Sequence, residues 1–142
     1  MRSRADDAIK ENIEKEHTVE TFFNQILIDI DNIENWCHEE CYESKLNSIC
    51  HIWQGQIQPN DGYGLFTVYS KKHKQKLNIR AHRFAYAHFY GFDKLPIGTM
   101  DAKDRLVINH ICHNRACVNP LHLEVITNDE NLSSEKRKPK DA

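Results

Sequence analysis

The feature that most constrains the fold is a group of cysteine and histidine residues in the segment NHICHNRACVNPLHLEVITNDEN, residues 109–131. Cys112, Cys117 and His122 follow one another there with four residues between each pair. Thiolate and imidazole groups are good zinc ligands, and a structural zinc takes four ligands. Cys50 is the best candidate for the fourth. The alternative, that these cysteines are only small buried hydrophobic residues, is disfavoured by the spacing.

The residues around this group predict the order strand, turn, strand, helix. Residues 106–108 (LVI) form a short apolar run typical of a strand, and residues 121–126 (LHLEVI) are typical of a returning strand. Asn119 and Pro120 predict the turn between them. Residues 127–130 (TNDE) match a capping box, which predicts that a helix begins near residue 128. The segment therefore has a ββα order that a metal ion would close.

Charge divides the chain into two unequal parts. Residues 1–49 carry 5 Lys/Arg against 12 Asp/Glu, and residues 50–142 carry 14 Lys/Arg against 9 Asp/Glu. The basic part is the one expected to face a polyanion. Five cysteines without a signal-type N-terminus favour metal ligation over a disulfide framework. No run of 18 apolar residues occurs, so we expect a soluble, intracellular protein that does not enter a membrane.

The acidic part is expected to be helical. Hydrophobic residues recur at spacings of three and four between residues 22 and 33, which predicts a helix over residues 5–34. We interpret residues 1–48 as an acidic helical arm and connector. The arm can pack on the core, on a partner subunit, or on another protein, and the sequence leaves these alternatives open.

From residue 50 onward, strand and turn signals replace the helical pattern. Residues 62–70 predict a strand, residues 71–76 (KKHKQK) a basic turn, and residues 77–81 a short returning strand. Residues 82–90 share one apolar helical face and precede Gly91, which predicts a helix that ends there. A basic-tipped β-hairpin is thus expected directly before a helix.

Four segments together resemble a known family: CHIWQG, GYG, AHRFAYAHFYG and the segment 109–131. They are similar to the zinc-binding-loop family of His-Me finger nucleases, which includes HNH homing endonucleases and phage HNH nucleases. The resemblance covers residues 50–132. It implies an α+β fold with a zinc-stapled ββα-metal core and an added antiparallel hairpin and helix, which the N-terminal arm precedes. It also implies a nuclease domain over residues 49–132 and a bacterial or phage-type setting. Residues 133–142, which are polar and basic, are expected to form a tail.

The resemblance also implies the roles of individual residues. His110 corresponds to the general base, and Asn131 to the ligand of a catalytic divalent cation, Mg²⁺ with Mn²⁺ as an alternative. An arginine often lies near the scissile phosphate in this family; the candidates are Arg83, which we favour, and Arg80. The implied ligands of the structural Zn²⁺ are Cys50, Cys112, Cys117 and His122.

Two further features of the sequence are less specific. Many relatives have Asp just before the general base, whereas this chain has Asn109, which would support an imidazolium less. Asn119 is expected to tie the loop by hydrogen bonds to backbone. A second zinc could be held by a local group with one more distant ligand, although plain packing is an alternative. The local group is Cys37, His38 and Cys41.

The expected partner is double-stranded DNA, and a homodimer would allow both strands to be cut. The basic hairpin tip can enter the major groove, since a two-stranded ribbon fits there, and the basic tail can contact phosphates. A non-catalytic, zinc-stabilised DNA-binding module is the alternative function. The residues expected to contact DNA are Lys71, Lys72, Lys74, Lys76, Arg80, Lys136, Arg137 and Lys138.

Overall fold

A computed structural model describes residues 3–27, 51–96, 106–111 and 114–127. This part of the chain contains both helices and antiparallel strands and has a mixed α+β fold. The helices are α1 (Arg4–Asn12), α2 (Glu16–Phe23) and α3 (Ala81–Tyr90), with 3₁₀ turns at Phe92–Lys94 and Pro120–His122. The strands are β1 (Ile26–Leu27), β2 (Ile52–Trp53), β3 (Gln56–Ile57), β4 (Gly64–Ser70), β5 (Gln75–Arg80), β6 (Leu106–His110) and β7 (Leu123–Thr127).

The N-terminal part differs from the single helix expected over residues 5–34. It contains two short helices, because the chain turns at Ile13–Lys15 and Lys15 is extended, with φ −85° and ψ 112°. The second helix ends at Phe23, and the chain then enters β1, which pairs antiparallel with β2. Periodicity in the sequence could not reveal this, since β1 is a strand only through its pairing with a segment 25 residues away.

A three-stranded antiparallel sheet in the order β3-β4-β5 lies at the centre of the described residues. The long pairing joins β4 to β5, from Leu65 opposite Arg80 to Ser70 opposite Gln75. The turn between them occupies residues 71–74, and Lys74 adopts a positive φ of 53°. α3 follows β5 without a linker and ends at Gly91, whose φ of 105° favours glycine.

An aromatic cluster joins α2 to the sheet and to α3. The ring of Phe22, which is fully buried, lies 4.7 Å from that of Phe84, 5.0 Å from that of Trp53 and 5.2 Å from that of Phe66, between ring centres. The indole of Trp53 crosses Gly64, where a Cβ would lie 2.5 Å from Cδ1 of the indole. Gly64 therefore leaves room for the indole of Trp53. The helix α2 shares one hydrophobic core with the later strands and with α3.

β6 and β7 form an antiparallel pair in which His110 lies opposite Leu123. The loop between them is tied to β2, since Ile52 and Cys117 form a β-bridge. Two backbone hydrogen bonds support this bridge, from the Trp53 amide to the Ala116 carbonyl (2.9 Å) and from the Val118 amide to the His51 carbonyl (2.8 Å). Among the residues described, no helix is long and apolar enough to cross a membrane.

Candidate functional site

His110 is the last residue of β6, and the residue is only 5% exposed. Its Nε2 lies 3.1 Å from the carbonyl oxygen of Cys117. Because a carbonyl oxygen can only accept, Nε2 must carry the hydrogen in this bond, which leaves the lone pair of the neutral ring on Nδ1. The fold thus selects the tautomer in which Nδ1 is the basic nitrogen.

The protonation state of His110 follows from its burial. Desolvation lowers the pKa of His110 to about 4, although the nearby Cys117 acts in the opposite direction. The imidazole is therefore neutral at pH 7 and can accept a proton. A phosphate bound beside it would raise its pKa again, because an anion favours the imidazolium form.

Cys117 and His122 meet in the interior, next to His110. Both residues are fully buried, and Sγ of Cys117 lies 3.5 Å from Nδ1 of His122. Two ligands of one tetrahedral zinc, bound at about 2.3 Å and about 2.0 Å, are separated by about 3.5 Å. The pair therefore fits one shared zinc. Within the described ranges, no group of three or more potential metal ligands occurs.

Two backbone hydrogen bonds hold the neighbours of the other expected zinc ligands. The carbonyl of His51 accepts from the Val118 amide (2.8 Å), and the Ile111 amide donates to the His122 carbonyl (2.8 Å). Cys50 and Cys112 themselves lie outside the described residues, but they are covalent neighbours of His51 and Ile111. These two hydrogen bonds join His51 and Ile111, which lie at ends of described segments, to the segment 114–127.

Aromatic rings from two other segments contact His110. The rings of His82 and Tyr63 lie 4.8 Å and 5.6 Å from that of His110, and they stack on each other at 5.0 Å. Burial keeps the pKa of His82 well below its usual range. Its Nδ1 is buried and has no hydrogen-bond partner within the described part of the chain. His82 is the second residue of α3, so this helix brings a second neutral imidazole to the site.

Two arginines lie over the face of Tyr63, each with its guanidinium carbon 5.2 Å from the ring centre. Arg80 is bound through both terminal nitrogens by the carboxylate of Asp61, at 3.1 Å and 3.0 Å. Arg115 donates to the backbone carbonyl of Asp61 at 2.9 Å. Neither Arg115 nor the two rings were singled out from sequence, because residues 63, 82 and 115 are too far apart for any local pattern.

Arg83 points in a different direction from Arg80. Its guanidinium donates to a carboxylate oxygen of Asp6 at 2.8 Å and to the carbonyl of Pro96 at 3.0 Å. Asp6 is on α1 and is almost fully buried. The arginine favoured from sequence as catalytic therefore anchors the N-terminal helix, and the structure instead brings Arg80 to the rings around His110.

The two asparagines noted in the sequence both make defined hydrogen bonds. Asn109 lies opposite Glu124 in the β6–β7 pair and donates to its carboxylate at 3.0 Å. Asn119 accepts from the Leu121 amide at 3.0 Å and caps the 3₁₀ turn that carries His122. Asn109 thus binds β7, and the group that orients the imidazole is the Cys117 carbonyl.

The basic hairpin tip is held by carboxylates of α1. Nζ of Lys72 lies 3.3 Å from Asp7, and Nε2 of His73 lies 2.9 Å from the same oxygen. Glu11 accepts from the Lys71 amide at 2.8 Å and from the Ser70 hydroxyl at 2.5 Å. Lys74 lies in the same turn, and Lys76 follows in β5. Part of the positive charge at this tip is therefore offset by the first helix.

Several residues that the sequence singled out lie outside the described ranges, together with the helix expected near residue 128. They are Cys37, His38, Cys41, Cys50, Cys112, Asn131, Lys136, Arg137 and Lys138.

Residues 80–133 match a family model described as HNH endonuclease. The matched segment begins at the end of β5 and includes α3, the β6–β7 pair and the loop with Cys117. No curated protein and no solved structure is significantly similar to the chain.

Proposed function

Because residues 80–133 of this chain belong to the HNH endonuclease family, we propose that the protein hydrolyses phosphodiester bonds in double-stranded DNA with His110 as the general base. The observation that carries this proposal is the bond from Nε2 of His110 to the Cys117 carbonyl. It makes Nδ1 the acceptor, and burial keeps the ring neutral at pH 7. A neutral imidazole with a fixed basic nitrogen can take a proton from the attacking water.

The metal requirement of the reaction assigns further roles within this proposal. Asn131 would hold a divalent cation through its carboxamide oxygen, a ligand type suited to Mg²⁺ or Mn²⁺. Such a cation, when bound, neutralises charge on the phosphate and favours departure of the 3′ oxygen. His110 acts on the water, and the positively charged side chains nearby hold the DNA backbone in reach of its Nδ1.

We further propose that the loop between β6 and β7 is closed by a structural zinc. The 3.5 Å separation between Sγ of Cys117 and Nδ1 of His122 supports this, as do the hydrogen bonds at His51 and Ile111. Cys50 and Cys112 would complete the four ligands. The zinc would fix the Cys117 carbonyl, which in turn sets the tautomer of His110.

The arginine closest to the phosphate is proposed to be Arg80, since Arg83 is engaged by Asp6 and Pro96. The lysines of the hairpin tip and the basic tail would add phosphate contacts that do not depend on sequence. A homodimer would place two such sites on opposite strands. We also propose that residues 1–48 form an arm, residues 49–132 the nuclease domain and residues 133–142 a tail. The proposed second zinc would be held by Cys37, His38 and Cys41.

The test is plasmid cleavage in Mg²⁺ by wild type and His110→Ala, with His17→Ala as the matched control. His17 is an exposed histidine on α2 and lies outside the proposed site. Loss of a general base typically lowers the rate by about 10²–10⁴-fold. We expect that loss for His110→Ala alone, and equal rates for all three proteins would refute the assignment.

A non-catalytic DNA-binding module is the alternative. It would retain the zinc scaffold and the basic surfaces, but it has no use for a buried imidazole with a defined tautomer. A gel shift without cleavage in Mg²⁺, Mn²⁺, Ca²⁺ and Zn²⁺ would favour this alternative over the nuclease.

A further inference from the structure

We propose that Arg115 and Arg80 form a two-guanidinium phosphate clamp beside His110, built on Tyr63 and Asp61, in which Arg115 is a DNA-backbone ligand. The inference deepens the proposed function and rests on it. It adds Arg115, in the β6–β7 loop, as a binding residue. Neither the residue spacing nor the charge pattern of the sequence had indicated this role.

The first argument is the position of the charges. The 5.2 Å from each guanidinium carbon to the centre of the Tyr63 ring, and the 5.6 Å from that ring to His110, keep both arginines within about 11 Å of the imidazole. Nucleotides of one strand advance about 3.4 Å along the duplex axis. A phosphate at Nδ1 of His110 and its immediate neighbours are therefore within reach of these side chains.

The second argument is the chemistry of the two side chains. Arg80 and Arg115 bring two guanidinium groups to the face of one ring, that of Tyr63. Asp61 holds Arg80 through its carboxylate and Arg115 through its backbone carbonyl. Guanidinium groups bind phosphate oxygens well, and DNA phosphate is the anion that the proposed reaction supplies.

The third argument is preorganisation. Asp61 binds Arg80 in a two-point fork and accepts from Arg115 through its carbonyl, while its side chain also accepts from the Tyr63 amide at 3.1 Å. A guanidinium has five N–H donors in a fixed plane, and such a fork engages only two of them. The side chain of Arg80 is 36% exposed, and that of Arg115 is part-buried. Both are thus oriented before DNA arrives and remain accessible to it.

The test measures the affinity for a short mixed-sequence duplex DNA as a function of salt, in the His110→Ala background so that the DNA stays intact. The variants are Arg115→Gln, Arg115→Lys and the control Arg4→Gln, an exposed arginine in the first turn of α1. Each phosphate contact contributes about 0.9 to the slope of log K against log salt. We expect Arg115→Gln to lower the slope by about 0.9, Arg115→Lys to keep it, and Arg4→Gln to leave it unchanged.

Two outcomes would overturn the proposal. If Arg115→Gln keeps the wild-type slope, or if Arg115→Lys loses as much slope as Arg115→Gln, then Arg115 only supports the loop. Thermal melting of each variant identifies a folding defect, which the charge-retaining Lys variant would share. If the wild type cleaves plasmid DNA while the slope is unaffected, the nuclease assignment stands and the clamp fails. If the wild type neither binds nor cleaves DNA, both are wrong.

Discussion

Replacing Phe22 by Ala tests whether the N-terminal helices are part of the cooperative core or an appendage. The Phe22 ring is fully buried and lies 4.7–5.2 Å from the rings of Trp53, Phe66 and Phe84. Removing a buried Phe side chain costs about 3–5 kcal/mol in unfolding free energy, a large fraction of the roughly 5–15 kcal/mol of a typical domain.

The assay is urea unfolding followed by far-ultraviolet circular dichroism and by intrinsic fluorescence. The free energy of unfolding of a small domain falls by about 1–3 kcal/mol per M of urea. A loss of about 3–5 kcal/mol in that free energy therefore lowers the urea midpoint by on the order of 2 M. Phe23→Ala is the matched control, because Phe23 is 36% exposed, and we expect less than half that shift.

One result would refute this reasoning. If the two variants shift the midpoint equally, or if unfolding becomes biphasic and Phe22→Ala moves only the first phase, then the N-terminal helices unfold on their own. In that case the helices α1 and α2 would not belong to the cooperative core, which would favour the alternative that the arm packs on a partner.

Three further predictions follow from individual contacts. Hydrogen bonds to Ser70 and to the turn lower the pKa of Glu11 from its usual 4.5, so Glu11→Gln should lower the free energy of unfolding by about 1 kcal/mol at pH 7. Urea midpoints should show that this loss becomes smaller as the pH falls below 4.5, because the wild-type carboxylate is then protonated. A loss that is the same at every pH would contradict the reasoning. Asn109→Asp would set a second carboxylate against Glu124 and should lower the melting temperature at pH 7; Glu124→Gln in the same protein should restore it, and failure of that rescue would exclude repulsion as the cause. Removing the proposed zinc with a chelator, or through Cys117→Ser, should lower the melting temperature and abolish cleavage even with Mg²⁺ present; elemental analysis finding no zinc in an active wild type would refute the staple.

Local patterns in the sequence determined the elements around the candidate site. Alternating apolar residues and turn signals predicted the hairpin now seen at Gly64–Ser70 and Gln75–Arg80, and helical periodicity before Gly91 predicted the helix Ala81–Tyr90. Such signals are readable because they arise from contacts between residues near one another in the chain. The family assignment was readable for the same reason, since its densest motif lies within residues 109–131.

Only the tertiary structure decided which groups surround His110 and which nitrogen of its ring is basic. The Cys117 carbonyl that fixes the tautomer, the Tyr63 ring, and Arg115 come from three segments whose meeting depends on long-range packing. The positions of the Arg80 and Arg83 side chains are also set by partners distant in sequence, Asp61 for one and Asp6 for the other. A pattern along the chain records which side chains are present, but the direction each one faces depends on contacts that form only when the core closes.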